Sequence, residues 1–364
     1  MISPGRAKRI LFSRQGGARI LVVRNDGLGD LILTLPLVTL LKARFPQARV
    51  DLLVHAPLAP VARLLEGVDE VLEDPGVLLK RHANAHPPAQ AAALRQTLLG
   101  NITLRQYDAA VLAYPEAGSA RLIHQAGIPI RVGSLRRSFF WRFNAWSVQS
   151  RKGSAFSEME LNLALARPLG LPPEYFPPRL NSPPPPPWAA GGGWVVMHPY
   201  KRNATALSWP LENFSALAQR LTAAGLSVAA VGDAADRPVL EQAFGGLSGV
   251  RVETGLDLPG LAGLISSARL FVGNSSGPLH LAGWAGIPHL GFFPQNRVSA
   301  PARWRPLPPA PGRPQPPPGG QHLLASRFPK ACVRCQGPAC PYFNCVASIS
   351  LGQAMEAIKA WGVV

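Results

Sequence analysis

Short apolar runs alternate with longer amphipathic stretches along the chain. In the first half, the apolar runs predict strands at residues 20–24, 49–55, 68–73, 108–114 and 129–133, with helices at 30–45 and 59–66. In the second half, strands are predicted at 194–198, 227–231 and 270–272, with helices at 211–224 and 258–267. Because strands that alternate with helices form parallel βαβ units, the pattern predicts two α/β halves with doubly wound sheets.

Proline divides this pattern between residues 172 and 187, where nine prolines occur and five are consecutive. Such a run favours an extended, semi-rigid spacer. With 364 residues the chain is long enough for two domains of ordinary size. We therefore predict a first domain at 1–180, a Pro/Gly-rich linker at 181–192 and a second domain at 193–364, with a mobile proline-rich loop at 301–320.

The segment 269–288 carries the strongest chemical signal. A buried strand runs into the turn at residues 273–277, Gly-Asn-Ser-Ser-Gly, and a helix begins near Pro278. The free N–H groups at the start of such a helix hold anions such as phosphate. His280 either adds a donor to this site or is a packed helix histidine.

A second turn, from Arg24 to Asp30, follows the first predicted strand. Gly27 and Gly29 permit a tight connection from strand to helix, and Asp30 falls where the helix starts. Ligands gather above the carboxyl ends of parallel strands, so the Asp30 carboxylate is a candidate base. Capping of the helix by this side chain is the alternative explanation.

Two short motifs carry a resemblance to a known family. The turn at 273–278 with His280, and the Gly-x-x-Gly-Asp turn at Asp30 with Thr34-x-Pro36 after it, closely resemble the ADP-heptose:lipopolysaccharide heptosyltransferases, glycosyltransferase family 9. The resemblance extends from about residue 20 to about residue 358. It implies a GT-B-like fold, in which two Rossmann-like doubly wound domains face a central cleft, with the acceptor on the N-terminal domain and the nucleotide sugar on the C-terminal one.

The resemblance also implies a reaction. Asp30 removes the proton from an acceptor hydroxyl, which attacks the anomeric carbon as the nucleotide diphosphate leaves, so the configuration inverts. The implied donor-binding residues are Lys201, Arg202, Trp209, Asp236, Asn274, Ser275, Ser276, Gly277, Pro278 and His280. The implied acceptor-side residues are Arg24, Gly27, Gly29 and Arg131. The expected partners are a nucleotide-diphosphate sugar, in the first instance ADP-heptose, and a lipid-linked saccharide of the lipopolysaccharide core or a related glycan.

Two positions depart from the family's pattern. Leu207 stands two residues before Trp209, where the family usually has lysine, and Ser275 stands where it generally has aspartate. Lys201 or Arg202 can replace the missing lysine, although a solvated basic loop is the alternative. The departures leave room for a different nucleotide sugar or for a weakened enzyme.

The sequence contains no Asp-x-Asp pair, so we expect a metal-independent reaction without a cofactor, in which backbone N–H groups receive the diphosphate. All four cysteines, Cys332, Cys335, Cys340 and Cys345, fall within fourteen residues. Their spacing suits a structural zinc site, while free or redox-active thiols and disulfides are the alternatives.

The net charge of +17 is concentrated in three segments. Residues 1–19, 131–152 and 301–330 contain sixteen lysines and arginines and no acidic residue. Clustered charge of one sign indicates an anionic partner, unless arginine is abundant for genomic reasons. Residues 136–146 interleave arginines with aromatic rings, which favours an anionic membrane surface, and no nucleic-acid partner is expected because no nucleic-acid-binding signature accompanies them.

The expected location follows from what the sequence lacks. No apolar run is long enough to span a bilayer, and no signal peptide follows the basic first residues. We therefore expect a cytoplasmic protein, peripheral to the inner face of the cytoplasmic membrane. Two alternatives stay open, which are a nucleotide-sugar epimerase of the same fold and a degenerate module that binds the nucleotide sugar without turnover.

Overall fold

The structure is a computed structural model that describes residues 1–14, 16–79, 85–148, 156–199, 207–309, 323–326, 332 and 335–364. Within these residues the chain forms two compact units, Met1–Arg179 and Leu180–Val364. Each unit contains one six-stranded sheet in which every described strand pair is parallel.

The first unit alternates strands and helices along the chain. Its strands are β1 (Arg19–Val23), β2 (Arg49–His55), β3 (Glu70–Asp74), β4 (Ala109–Leu112), β5 (Ile130–Ser134) and β6 (Ala145–Ser147). Its helices are α1 (Pro4–Phe12), α2 (Leu28–Ile32), α3 (Leu35–Arg44), α4 (Ala59–Ala62), α5 (Pro88–Leu104), α6 (Ala117–Gln125) and α7 (Glu158–Leu163).

The strand order in the first sheet is β3-β2-β1-β4-β5-β6, with Leu21 of β1 paired to both Asp51 of β2 and Ala110 of β4. The chain builds outward from β1 in one direction and then returns to place β4 on its other side. This reversal makes the carboxyl ends of β1 and β4 a topological switch point, the place where doubly wound sheets bind ligands.

The second unit repeats the pattern. Its strands are β7 (Val195–His198), β8 (Val228–Gly232), β9 (Val250–Thr254), β10 (Leu270–Asn274), β11 (His289–Phe293) and β12 (Leu323–Ala325). Its helices are α8 (Leu211–Ala223), α9 (Arg237–Phe244), α10 (Leu258–Ser266), α11 (Gly277–Ala285), α12 (Pro301–Trp304) and α13 (Leu351–Ala360).

The second sheet has the order β12-β11-β10-β7-β8-β9, so β7 and β10 form its switch point. Counted from the first strand of each unit, the two orders are the same. The predicted α/β class with two Rossmann-like doubly wound sheets is therefore confirmed.

Two helix predictions need correction. The predicted helix at 30–45 is broken into α2 and α3, because Pro36 has no N–H to continue the ladder and the chain turns at Leu33 and Thr34. The predicted helix at 59–66 ends at Ala62, and a 3-10 turn at Ala56–Leu58 precedes it.

The sequence pattern did not predict four of the described strands. They are β6, with three residues among aromatic side chains, β9, which is partly exposed at an edge of the sheet, and β11 and β12. The short strands β6 and β12 and the partly exposed β9 carry a weak periodic signal, and the fully buried β11 has no polar alternation to distinguish it from a buried helix. Pairing with a neighbouring strand decides whether such segments form strands.

The proline-rich segment before β7 packs within the second unit. A Cβ atom at Gly263 of α10 would lie 2.4 Å from the Pro184 carbonyl oxygen and 2.9 Å from that of Pro183. Only glycine allows this approach. In the predicted loop at 301–320, residues 301–304 form α12, and residues 310–320 lie outside the described residues.

Candidate active site

The turn after β1 brings a carboxylate to the switch point of the first sheet. Helix α2 begins after Gly27, which is the N-cap residue and makes no side-chain cap hydrogen bond. Asp30 is the third residue of α2, so the capping alternative for Asp30 is wrong. A Cβ at Gly27 would lie only 2.9 Å from Asp30 Oδ2, which means that this glycine lets the carboxylate fold back against the turn.

Arg24 organises the carboxylates around this turn. Its side chain is 1% exposed, and its Nε and Nη2 atoms donate to Asp26 Oδ1 (2.6 Å) and Oδ2 (2.9 Å). Nη2 also donates to Asp30 Oδ1, and Nη1 donates to Glu158 Oε1 at 3.2 Å and to Asn162 Oδ1 at 3.3 Å. The buried guanidinium therefore binds these carboxylates. The sequence analysis had predicted Arg24 as an acceptor-side residue.

The environment of Asp30 makes it a stronger base than an ordinary carboxylate. Burial raises the pKa of Asp30 to about 6, the charge of Arg24 lowers it, and the charges of Asp26 and Glu158 raise it. A carboxylate with this pKa is ionised at neutral pH and accepts a proton more readily than one near 4. The side chain is 25% exposed, so a substrate can reach it.

Neighbouring elements tie the turn in place. Asn25 is fully buried, and its Nδ2 donates to Asp74 Oδ2 at the end of β3 over 2.8 Å. Asp74 Oδ1 accepts in turn from the backbone N–H groups of Gly76 and Val77. These hydrogen bonds attach the turn at 24–30 to the end of β3.

The other acceptor-side residues have structural partners. Gly29 lies in α2, and its carbonyl accepts from the Leu33 N–H at 3.0 Å. Arg131 Nε donates to the Arg142 carbonyl (2.7 Å) and its Nη1 donates to the Ile128 carbonyl (2.6 Å), so its side chain braces the loop after β5.

The switch point of the second sheet ends in the predicted anion-binding turn. Ser276 is the N-cap residue of the nine-residue α11, with Gly277 and Pro278 as its first two residues. Ser276 Oγ is buried and has no hydrogen-bond partner among the described residues. The Ser275 N–H donates to the Phe292 carbonyl at 3.1 Å, so it is not available to a diphosphate as the sequence predicted.

Several predicted donor-binding residues serve the packing of the second unit. Asn274 Oδ1 accepts from the Trp209 N–H (2.7 Å), and its Nδ2 donates to the Pro199 carbonyl (2.8 Å). Trp209 is 1% exposed, stacks on Phe292 at 4.1 Å and donates from Nε1 to the Ile349 carbonyl. The amide of Asn274 thus fastens the loop after β7 to the end of β10, and the indole belongs to the core.

The remaining donor candidates are buried or lie outside the description. His280 is 3% exposed inside α11, with its ring 6.5 Å from that of Trp304, as a packed helix histidine would be. Asp236 is buried, and its Oδ2 accepts from the Asp233 N–H at 2.9 Å in a capping box. Lys201 and Arg202 lie outside the described residues.

The four cysteines are free thiols and half-buried. Burial, and then the proximity of the other three sulfurs, raises the pKa of Cys332. Among the described residues, which include all four, no three histidine, cysteine or acidic side chains form a group that could hold a metal ion. The metal site suggested by the spacing of the cysteines stays a prediction. Cys345 packs against the core of the second unit, and Cys335 Sγ accepts from the Gly337 N–H.

The basic and aromatic segment at 136–146 divides between core and surface. Phe143 is buried in the hydrophobic core of the first unit, and Phe139 and Trp146 pack against that core. Phe140 and Trp141 are exposed. None of the helices in the described ranges is long and apolar enough to cross a bilayer.

Sequence reasoning missed Asp26, Glu158 and Asn162, which complete the cluster around Arg24. A capping box of Ser157 and Glu160 marks the start of α7 and could have located this helix. It could not show which face of the helix contacts the turn at 24–30.

The fold and the site define an α/β enzyme of the doubly wound class, with a candidate base at one switch point and a candidate anion-binding helix start at the other. The family model for glycosyltransferase family 9 (heptosyltransferase) matches residues 92–310, more than half of the chain. The chain belongs to this family, and it is a glycosyltransferase.

Individual relatives agree with this assignment. Lipopolysaccharide heptosyltransferase 3 of Escherichia coli is 25% identical over 282 residues, covering 73% of this chain and 80% of the relative. A solved family 9 protein from Veillonella parvula matches with a TM-score of 0.74 at 17% identity, covering 94% of this chain and 97% of that one. E. coli heptosyltransferase WaaC, solved with ADP, matches with a TM-score of 0.73 at 18% identity, covering 94% and 99%. At these identities the solved structures show the fold alone.

Proposed function

We propose that this glycosyltransferase transfers a sugar from a nucleotide-diphosphate donor to a lipid-linked saccharide, with inversion and without a metal ion. The observation that carries the proposal is the Asp30 carboxylate, held at the β1/β4 switch point with its pKa raised by burial to about 6. A group with this property is suited to deprotonate a sugar hydroxyl at neutral pH.

The proposed reaction is a single displacement. Asp30 takes the proton of the acceptor hydroxyl while the hydroxyl oxygen forms a bond to the anomeric carbon. The bond from that carbon to the diphosphate oxygen breaks, and the electron pair leaves with the nucleotide diphosphate. Attack on the face opposite the leaving group inverts the anomeric configuration.

The start of α11 is the proposed site of the leaving diphosphate. The first N–H groups of a helix lack partners within it, and the helix dipole favours negative charge there. The buried Ser276 hydroxyl adds a donor at the same end. These groups supply the stabilisation that other enzymes obtain from a cation, and the sequence offers no Asp-x-Asp pair to hold one.

ADP-heptose is the first donor to test. WaaC, a solved relative by fold, has been determined with ADP and with ADP-2-deoxy-2-fluoro heptose. Ser275 replaces the aspartate usual in the family, so the preferred sugar has to be established for this chain.

An anionic acceptor at a membrane surface suits the charge near the catalytic turn. The guanidinium groups of Arg24 and Arg137 lie over the same ring, that of Tyr114, at 5.6 and 5.7 Å. The basic and aromatic segment therefore begins beside the catalytic cluster. A groove of about 600 Å³ between α5 and α6 is also basic. Its lining contains no acidic residue and three arginines, which are Arg95, Arg121 and Arg142. We propose that the enzyme is cytoplasmic and docks on an anionic leaflet.

The test is a screen of nucleotide sugars by thermal shift, followed by product analysis with the preferred donor. A ligand at one hundred times its Kd stabilises the folded state by about 2.7 kcal/mol. We expect one nucleotide sugar to give the largest shift, and the product made with it to have the inverted anomeric configuration. Binding without product on any lipid-linked saccharide would support a degenerate binding module, and turnover of the donor without an acceptor would support an epimerase.

A further inference from the structure

Helix α7 contacts the catalytic turn with two side chains that the proposed reaction does not use. Glu158 and Asn162 are four residues apart, so they lie on the same face of the helix. Both are fully buried, at 1% and 0% exposure. Burying a carboxylate costs folding free energy unless it is paired with a cation, so the partner of Glu158 determines whether this burial is tolerated.

Asn162 joins the two ends of the catalytic turn. Its Oδ1 accepts from Arg24 Nη1 at 3.3 Å. Its Nδ2 donates to the Leu33 carbonyl (3.0 Å) and to Thr34 Oγ1 (3.1 Å), where α2 ends. One amide therefore fixes both the guanidinium that binds Asp30 and the end of the short helix that carries it.

Glu158 shares the positive charge of Arg24 with Asp30. The guanidinium of Arg24 pairs with Asp26, Asp30 and Glu158. A guanidinium that pairs with three carboxylates neutralises each of them less than it would neutralise one alone. Without Glu158, Arg24 would bind Asp30 more completely and make it a weaker base.

We propose that Glu158 and Asn162 are positioning residues that act through Arg24, Glu158 by keeping Asp30 basic and Asn162 by holding α2 in place. This inference rests on the proposed function of Asp30 as the base. It assigns no contact with substrate to either residue. The charged groups of the described chain that face Asp30 are Arg24 from the end of β1, Asp26 from the turn and Glu158 from α7.

The test compares Glu158→Gln with Asn162→Ala. Glu158→Gln keeps an oxygen for Arg24 Nη1 but removes the charge. It should lower the pKa of the acid limb of kcat/KM by about one unit and kcat at neutral pH about three- to tenfold, with KM within about twofold. Asn162→Ala should lower kcat about tenfold without moving the acid limb, because no charge is lost.

The matched control is Asp51→Asn. Asp51 is also a buried, ion-paired carboxylate of the first unit, bonded to Arg49 and Tyr107, but it pairs with Leu21 in the middle of β1. The Asp51→Asn variant should leave the pKa of the acid limb of kcat/KM unchanged. If Glu158→Gln is too unstable to purify, Glu158→Asp should keep the acid limb and lower kcat, since the charge stays while the shorter side chain draws Arg24 away.

A readout independent of activity separates this inference from the proposed function. In protein labelled with ¹³C at the aspartate carboxyl groups, the Asp30 signal is the one missing from Asp30→Asn, and its pH titration reports its pKa directly. We expect this pKa to fall in Glu158→Gln. An unchanged titration and an unchanged acid limb in the folded variant would overturn the inference, whereas an active Asp30→Asn would instead overturn the proposed function.

Discussion

Replacing Asp30 by asparagine should stabilise the protein while it abolishes transfer. Asparagine resembles the protonated carboxyl group in shape but never ionises. In the folded protein burial raises the pKa of Asp30 from 3.8 to about 6. Ionised Asp30 therefore destabilises the fold, and the substitution removes this cost.

The magnitude follows from the pKa difference. A difference of about 2 units, at 1.36 kcal/mol each, corresponds to about 3 kcal/mol at pH 7 as an upper limit. Between pH 4 and 6 the folded state binds the proton that the unfolded chain has lost, so stability falls as the pH rises through this window. The gain from Asp30→Asn should be about half as large at pH 5 and should vanish below about pH 4.

The assay is a pair of thermal or urea unfolding curves at pH 5 and pH 7 for wild type and variant. For a unit of 179 residues, about 3 kcal/mol corresponds to a rise in Tm of roughly 6–12 °C. Product formation should fall at least about 100-fold because the base is lost. Asp69→Asn is the control. It removes the negative charge that pairs with Lys42 and keeps an amide oxygen for the Val50 N–H, so stability should fall slightly at both pH values.

Two outcomes would refute the stability argument, and a third would refute the role of Asp30 as the base. A loss of stability in Asp30→Asn at pH 7 would mean that the ion pair with Arg24 outweighs the burial of the carboxylate. A gain of equal size at pH 5 and pH 7 would mean that the effect does not come from the titration of Asp30. Transfer within about threefold of wild type, equivalent to roughly 0.7 kcal/mol of barrier, would show that Asp30 is not the base.

Three further predictions follow from the same site and its surroundings. Gly27→Ala places a Cβ 2.9 Å from Asp30 Oδ2 and should lower kcat roughly 100-fold with little change in Tm. The measurements are product formation and a melting curve, and full activity would show that the carboxylate moves freely. Activity should survive EDTA, and a loss that Mg²⁺ restores would contradict donation by the start of α11. Replacing Arg136, Arg137 and Arg142 with glutamine should lower sedimentation with anionic vesicles roughly 100-fold at low salt; equal binding by wild type would place the membrane contact elsewhere.

The sequence by itself determined the fold class and placed the Asp30 carboxylate just after the first strand. Strand and helix periods are local, and the glycines of the turn at 24–30 and of the turn at 273–277 mark where a strand must pass directly into a helix. Parallel strands then place such turns at the carboxyl edge of a sheet, whatever the rest of the chain does. These residues alone therefore place Asp30 at the edge of the sheet, whereas its role as the base is implied by the resemblance to the family.

Only the tertiary structure decided what surrounds that carboxylate. Glu158 and Asn162 lie more than 130 positions from Arg24 along the chain, and nothing local indicates that α7 packs against the turn at 24–30. The partners of Trp209 and Asn274 were likewise not visible in the sequence. The Trp209 indole N–H donates to the Ile349 carbonyl, and the Asn274 amide donates to the Pro199 carbonyl in the loop after β7. A side chain's local pattern shows what it can bind, but burial and hydrogen bonding to distant segments decide whether it faces a ligand or holds the site together.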